Sequence, residues 1–121
     1  MTALFEASGI TAERLRMKQL QYSSGTFLEL FAEIDIQLDT FPWSGHTMAC
    51  MALWMGGPVV TLHGDGHAGR MVASVLESIG LEDLVAFDRD SYLHISSQLA
   101  ADPGRLTELR GGLRFAMSNS A

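Results

Sequence analysis

The sequence predicts an α/β domain, a three-layer Rossmann-like arrangement built on a mostly parallel sheet. Two observations carry the prediction. The segment Ile34 to Leu62 reads IDIQLD-TFPWSG-HTMACMALWMGG-PVVTL. Its order is a short strand, a glycine-containing loop, a wholly apolar helix and a second buried strand, the βαβ unit of a parallel sheet. The other apolar runs are short, and each is joined to the next through a helix-like segment, as parallel strands require. In such units the loop leaving the first strand meets the helix amino-terminus at the carboxyl edge of the sheet, where anionic ligands usually sit. Gly45, His46 and Thr47 occupy that junction.

The elements follow in order. Thr2 to Ser8 reads as the tail of a helix ended by Gly9, a beginning in mid-helix that suggests a cut-down chain. Arg14 to Leu20 alternates polar and apolar residues as a short strand does. Ser23 or Ser24 is placed to cap a helix over Thr26 to Glu33, whose Phe27, Leu28, Leu30 and Phe31 give it an apolar side. The strand Ile34 to Leu38 comes next, then the apolar helix and the strand Pro58 to Leu62. The loop His63-Gly64-Asp65-Gly66 leads into a helix in which Met71, Val72, Val75, Leu76 and Ile79 recur at helical spacing and Gly80 forms the C-cap. Leu84 to Phe87 is the last strand. Asp88 or Asp90 then caps a helix running to Ala101. Asp102-Pro103 starts another with a stripe of Leu106, Leu109 and Leu113. Gly111-Gly112 weakens that helix by about 1 kcal/mol per glycine relative to alanine.

A chain of 121 residues makes one domain, residues 1–121, large enough to bury roughly two-thirds of its unfolded surface. The longest apolar run, Met48 to Met55, falls far short of the ~18 residues of a membrane span. Met1 to Ile10 lacks a basic start and carries Glu6, so it does not read as a signal peptide. Eight Lys plus Arg against fourteen Asp plus Glu leave a net charge of −6, and the basic face a nucleic-acid partner needs is missing. Cys50 is the only cysteine. It reads as a small core residue, and a reducing, cytoplasmic setting fits.

From about Leu4 to Ser118 the chain carries a set of ordered words: D-I-x-L-D-T-F-P at Asp35 to Pro42, S-G-H-T at Ser44 to Thr47, A-L-W-M-G at Ala52 to Gly56, P-V-V-T-L at Pro58 to Leu62, G-D-x-H-A-x-R at Gly64 to Arg70, and A-S-x-L at Ala73 to Leu76. Together these resemble the carboxyl-terminal half of the catalytic region of the protein O-linked N-acetylglucosamine transferase family, with its bacterial and SPINDLY-like members. The resemblance implies the carboxyl-terminal half of a GT-B glycosyltransferase, the half that binds UDP of UDP-N-acetylglucosamine, truncated relative to the family. It implies transfer of the sugar to Ser or Thr of an acceptor protein met through regions this chain lacks, with no metal or other cofactor. It also implies that the chain alone is inactive and holds no catalytic residue.

On this resemblance Gly45, His46 and Thr47 meet the diphosphate. A helix amino-terminus offers free N–H groups and partial positive charge, and a hydroxyl and an imidazole add donors. The chain also departs from the family pattern. Met48 stands where relatives carry a second threonine, and Met51 where they carry an acid for the ribose hydroxyls. Phe27 stands at a nucleotide-contacting histidine, and Ser24 at a basic position. No methionine replaces those hydrogen bonds.

Other readings stay open. The loop residues His67 and Arg70 are candidate ligand contacts, and Arg70 either touches substrate or holds the loop. His63 and His67 are four apart, but a turn rather than a helix separates them, so a metal site is not expected. Gly64, Gly66 and Gly69 fit a dinucleotide fingerprint in spacing only, since Glu82 and Asp83 come too soon to serve the ribose. A second alternative is a non-catalytic, degenerate α/β binding or interaction domain. Asp35 and Asp39 lie ~13 Å apart along a strand, too far for a retaining pair. Asp39 is expected to organise the turn before Pro42. Trp54 and Met55 are expected in the core, and His94 on the surface or satisfied. Phe41 and Trp43 are expected on an exposed cleft face through which the chain self-associates.

Overall fold

The computed structural model describes residues 2–15, 31, 33–40, 45–66 and 69–119. A short helix α1 (Thr2–Ala7) opens the chain and ends at Gly9, as expected. Among the described residues three strands, β1 (Gln37–Leu38), β2 (Val59–Leu62) and β3 (Val85–Ala86), form a parallel sheet in that order. Gln37 pairs with Val59 and Leu38 with Val60, while Thr61 pairs with Val85 and Leu62 with Ala86.

Neighbouring residues of a strand point to opposite faces, yet Val59, Val60 and Thr61 are all fully buried. Both faces of β2 are therefore covered, as the continuous run PVVTL predicts. Helices α2 (His46–Trp54) and α3 (Met71–Ser78) pack on β2 and on each other. Helix α4 (Arg89–Ala100) packs on β2 and β3, and α5 (Pro103–Ser118) lies against α2 and α4. The core gathers Ala49, Ala52 and Leu53 of α2, Val72 and Leu76 of α3, Leu99 of α4 and Leu113 of α5. Each large side chain fully buried there contributes about 1.5–3 kcal/mol.

Local chemistry sets the helix ends. The Asp88 carboxylate accepts the Ser91 N–H at 2.7 Å and Asp102 accepts the Arg105 N–H at 3.0 Å, so both acids cap helices as their positions predict. Gly80, at φ +79, closes α3. The Leu81 N–H reaches the Leu76 carbonyl at 2.8 Å, the pairing of a Schellman turn. Gly111 and Gly112 do not break α5, which runs through them to Ser118.

Three expectations need correction or lie out of view. Arg14 does not open a strand. It ends a 3-10 turn, Ala12–Arg14, in which the Arg14 N–H donates to the Thr11 carbonyl, and residues 16–20 lie outside the described residues. The strand expected over Ile34 to Leu38 shortens to Gln37–Leu38, because the Ile34 carbonyl is taken by the Arg110 guanidinium at 2.8 Å. Of the helix expected over Thr26 to Glu33, Phe31 is helical and buried in the core; residues 26–30 and 32 lie outside the described residues.

Candidate functional site

The carboxyl ends of β1 and β2 lie side by side, since the strands are parallel neighbours, about 4.8 Å apart. The β1 end leads to Gly45 and the start of α2, and the β2 end leads to the loop from His63 to Arg70. The sequence-predicted junction and the glycine loop thus share one edge of the sheet.

Asp39, the residue after β1, builds the junction. It is only 4 % exposed and is bonded on every side. Its N–H donates to the Val60 carbonyl at 3.0 Å, continuing the ladder. One carboxylate oxygen accepts the Gly45 N–H at 2.9 Å and the other accepts the Thr61 hydroxyl at 2.7 Å. Its carbonyl accepts the Tyr92 hydroxyl at 2.8 Å. A buried carboxylate is tolerated when its oxygens are satisfied in this way. Asp39 thus ties the end of β1 to Gly45, while the turn it is expected to organise, residues 41–44, lies outside the described residues; the partners Thr61 and Tyr92 are new. Burial, and after it the nearby Asp39 carboxylate, pushes the Tyr92 phenol above its ordinary value of 10.0.

Helix α2 begins at His46, with the Ala49 N–H closing on the Gly45 carbonyl at 2.8 Å. Its N-cap, Gly45, has no side chain, and no acid stands in its first turn. The amides of His46, Thr47 and Met48 precede the first intrahelical bond, and Thr47 is exposed. The other end of α2 is fixed by α5. Arg114 Nε donates to the Trp54 carbonyl at 3.0 Å, and its guanidinium lies 5.2 Å from the Trp54 ring centroid. A cation there satisfies a terminal carbonyl and matches the negative end of the helix dipole.

Trp54 corrects an expectation: it is 42 % exposed, not core. An apolar helix with no polar side gives periodicity nothing with which to choose its outward face. Met48, Met51 and Met55 are partly buried and packed against the core. Cys50 is half-buried, and burial raises its thiol above 9.0.

In the second loop the Gly64 N–H donates to the Gly69 carbonyl at 2.9 Å, and the Gly69 N–H to the Gly66 carbonyl at 3.1 Å. A Cβ on Gly64 would come 2.7 Å from the Gly69 Cα. The glycine spacing has a local cause, two backbones in contact. Arg70 Nε donates to the Gly66 carbonyl at 3.3 Å, a bond within the loop. His63 stacks on Phe87 with centroids 5.0 Å apart, and His94 is exposed. Among the described residues no three His, Cys, Asp or Glu side chains come together to hold a metal. Ser24, Phe27, Phe41, Trp43 and His67 lie outside the described residues.

Thr61 and Tyr92 left signals in the sequence. A hydroxyl in an otherwise aliphatic buried strand needs a partner. A tyrosine on the apolar stripe of Tyr92, Ile95 and Leu99 needs one for its O–H.

A parallel sheet covered on both faces, with a helix amino-terminus and a glycine loop at its carboxyl edge, is a Rossmann-like α/β domain with the architecture of the carboxyl-terminal half of a GT-B glycosyltransferase. Residues 28–121 match the family described as Glycosyl transferase family 41, and the chain belongs to that family. It is 38 % identical over 118 residues to the probable UDP-N-acetylglucosamine–peptide N-acetylglucosaminyltransferase SPINDLY of Solanum lycopersicum, covering 98 % of this chain and 13 % of that protein. It is 35 % identical over 86 residues to the UDP-N-acetylglucosamine–peptide N-acetylglucosaminyltransferase of Caenorhabditis elegans, covering 71 % of this chain and 8 % of that one. A solved mutant O-GlcNAc transferase of Thermobaculum terrenum superposes with a TM-score of 0.89 at 38 % identity, over 97 % of this chain and 22 % of that chain. The chain therefore spans a small part of the length of the relatives it matches. No described helix is long and apolar enough to cross a membrane.

Proposed function

We propose that this chain is the nucleotide-sugar half of a UDP-N-acetylglucosamine-dependent protein glycosyltransferase, and that its diphosphate site is the mouth of α2 at Gly45, His46 and Thr47. The observation that supports the reading is the amino-terminus of α2, held at the carboxyl edge of the sheet by the bond from Gly45 to Asp39. The first-turn amides and the helix dipole favour an anion there, by about 0.3–1 kcal/mol for the dipole and up to ~2 kcal/mol when partly buried. Donors aimed at the leaving UDP would stabilise the charge that develops as the sugar departs to a Ser or Thr hydroxyl. A GT-B cleft is closed by two domains, so this half binds donor and does not catalyse alone. The reading needs no metal.

A second reading, a domain that keeps the fold and has lost the donor, draws on Met48 and Met51. Both are packed against the core, and neither offers a hydrogen bond to phosphate or ribose. Calorimetric titration of the chain with UDP, UDP-N-acetylglucosamine, GDP and NAD separates the two. Binding of UDP and its sugar in preference to GDP and NAD supports the first reading. Binding of none supports the second.

A further inference from the structure

Acids that stand just before helices in this chain turn onto the free amides, as Asp88 does to the Ser91 N–H and Asp102 to the Arg105 N–H. Asp39 also stands before a helix, and its carboxylate takes the amide of Gly45, the N-cap of α2. Thr61 on β2 donates to one of the Asp39 oxygens at 2.7 Å, Gly45 to the other at 2.9 Å, and Tyr92 from α4 donates to its backbone carbonyl at 2.8 Å. Groups from β2, α4 and the start of α2 thus fix Asp39, with its buried carboxylate on the Gly45 amide.

We infer that Thr61 and Tyr92 are positioning residues that act through Asp39 to hold Gly45, and with it the start of α2, in place for an anionic ligand. The inference rests on the reading that this mouth takes the donor diphosphate. Neither side chain touches the ligand. Thr61 fixes the carboxylate, and Tyr92 fixes the backbone that carries it.

The test compares the unaltered chain with Thr61→Val, Thr61→Ser and Tyr92→Phe, by calorimetric titration with UDP and by backbone amide exchange. Thr61→Val and Tyr92→Phe are expected to weaken UDP binding about five- to twentyfold. They should also speed exchange at the Gly45 amide about tenfold while the amides of α3 keep their rates. Thr61→Ser keeps the hydroxyl and is expected to restore both. Unchanged Gly45 exchange in both variants overturns the inference. So does weaker binding accompanied by equal loss of protection in α3, the mark of a general loss of stability. No UDP binding to the unaltered chain overturns the donor reading itself, and the Gly45 exchange then still decides whether Thr61 and Tyr92 position Asp39.

Discussion

The Tyr92 hydroxyl reaches across 53 residues to donate to the Asp39 carbonyl at 2.8 Å. The bond ties α4 to the loop that launches α2, and it leaves a phenol whose charged form is disfavoured by burial and by a neighbouring carboxylate. The unfolded chain releases that proton near 10.0, and the folded chain holds it to higher pH. Where the unfolded state binds fewer protons, stability falls as pH rises. The contribution is fully present below about pH 10 and is lost above it. Denaturant midpoints measured across that range should fall more steeply for the unaltered protein than for Tyr92→Phe. Parallel slopes would contradict the assignment.

Two glycine substitutions should act in opposite directions. Gly64→Ala forces a Cβ to 2.7 Å from the Gly69 Cα, a backbone contact that cannot yield cheaply, and should cost about 1–3 kcal/mol. Gly111→Ala meets nothing within 4 Å in the middle of α5, and should stabilise by about 0.5–1 kcal/mol. Thermal or urea unfolding of the two variants reads both signs.

The fold was legible wherever a short stretch carried its own physics. The run Pro58 to Leu62 has no polar face and becomes the doubly covered β2. Asp88, Asp102 and Gly80 announce helix ends through bonds that reach only a few residues. What sequence did not reveal depends on distant partners. Arg110 reaches Ile34 across 76 residues and shortens β1, and Arg114 reaches the Trp54 carbonyl across 60 and lies against that exposed ring. The junction Gly45 to Thr47 was legible from its order between strand and helix. The Asp39, Thr61 and Tyr92 network was not, because its register is set only when the sheet and α4 assemble.

The methionines of α2 should respond separately. Met48→Thr places a hydroxyl in the first turn and should strengthen UDP binding by about 0.5–1.5 kcal/mol. Met51 is packed against the core, so Met51→Asp should lower stability by about 1–3 kcal/mol through a carboxylate short of partners. Titration with UDP and melting of each single variant would show it. A gain in affinity from Met51→Asp at unchanged melting temperature would mean that this side chain faces the ligand.

The central claim is that a diphosphate sits on the first-turn amides of α2, and it is tested most directly by following those amides in solution. Adding UDP should shift the backbone resonances of His46, Thr47 and Met48, while uridine, which lacks the phosphates, leaves them in place. Equal shifts with uridine and UDP, or shifts confined to Gly64 through Arg70, would contradict it.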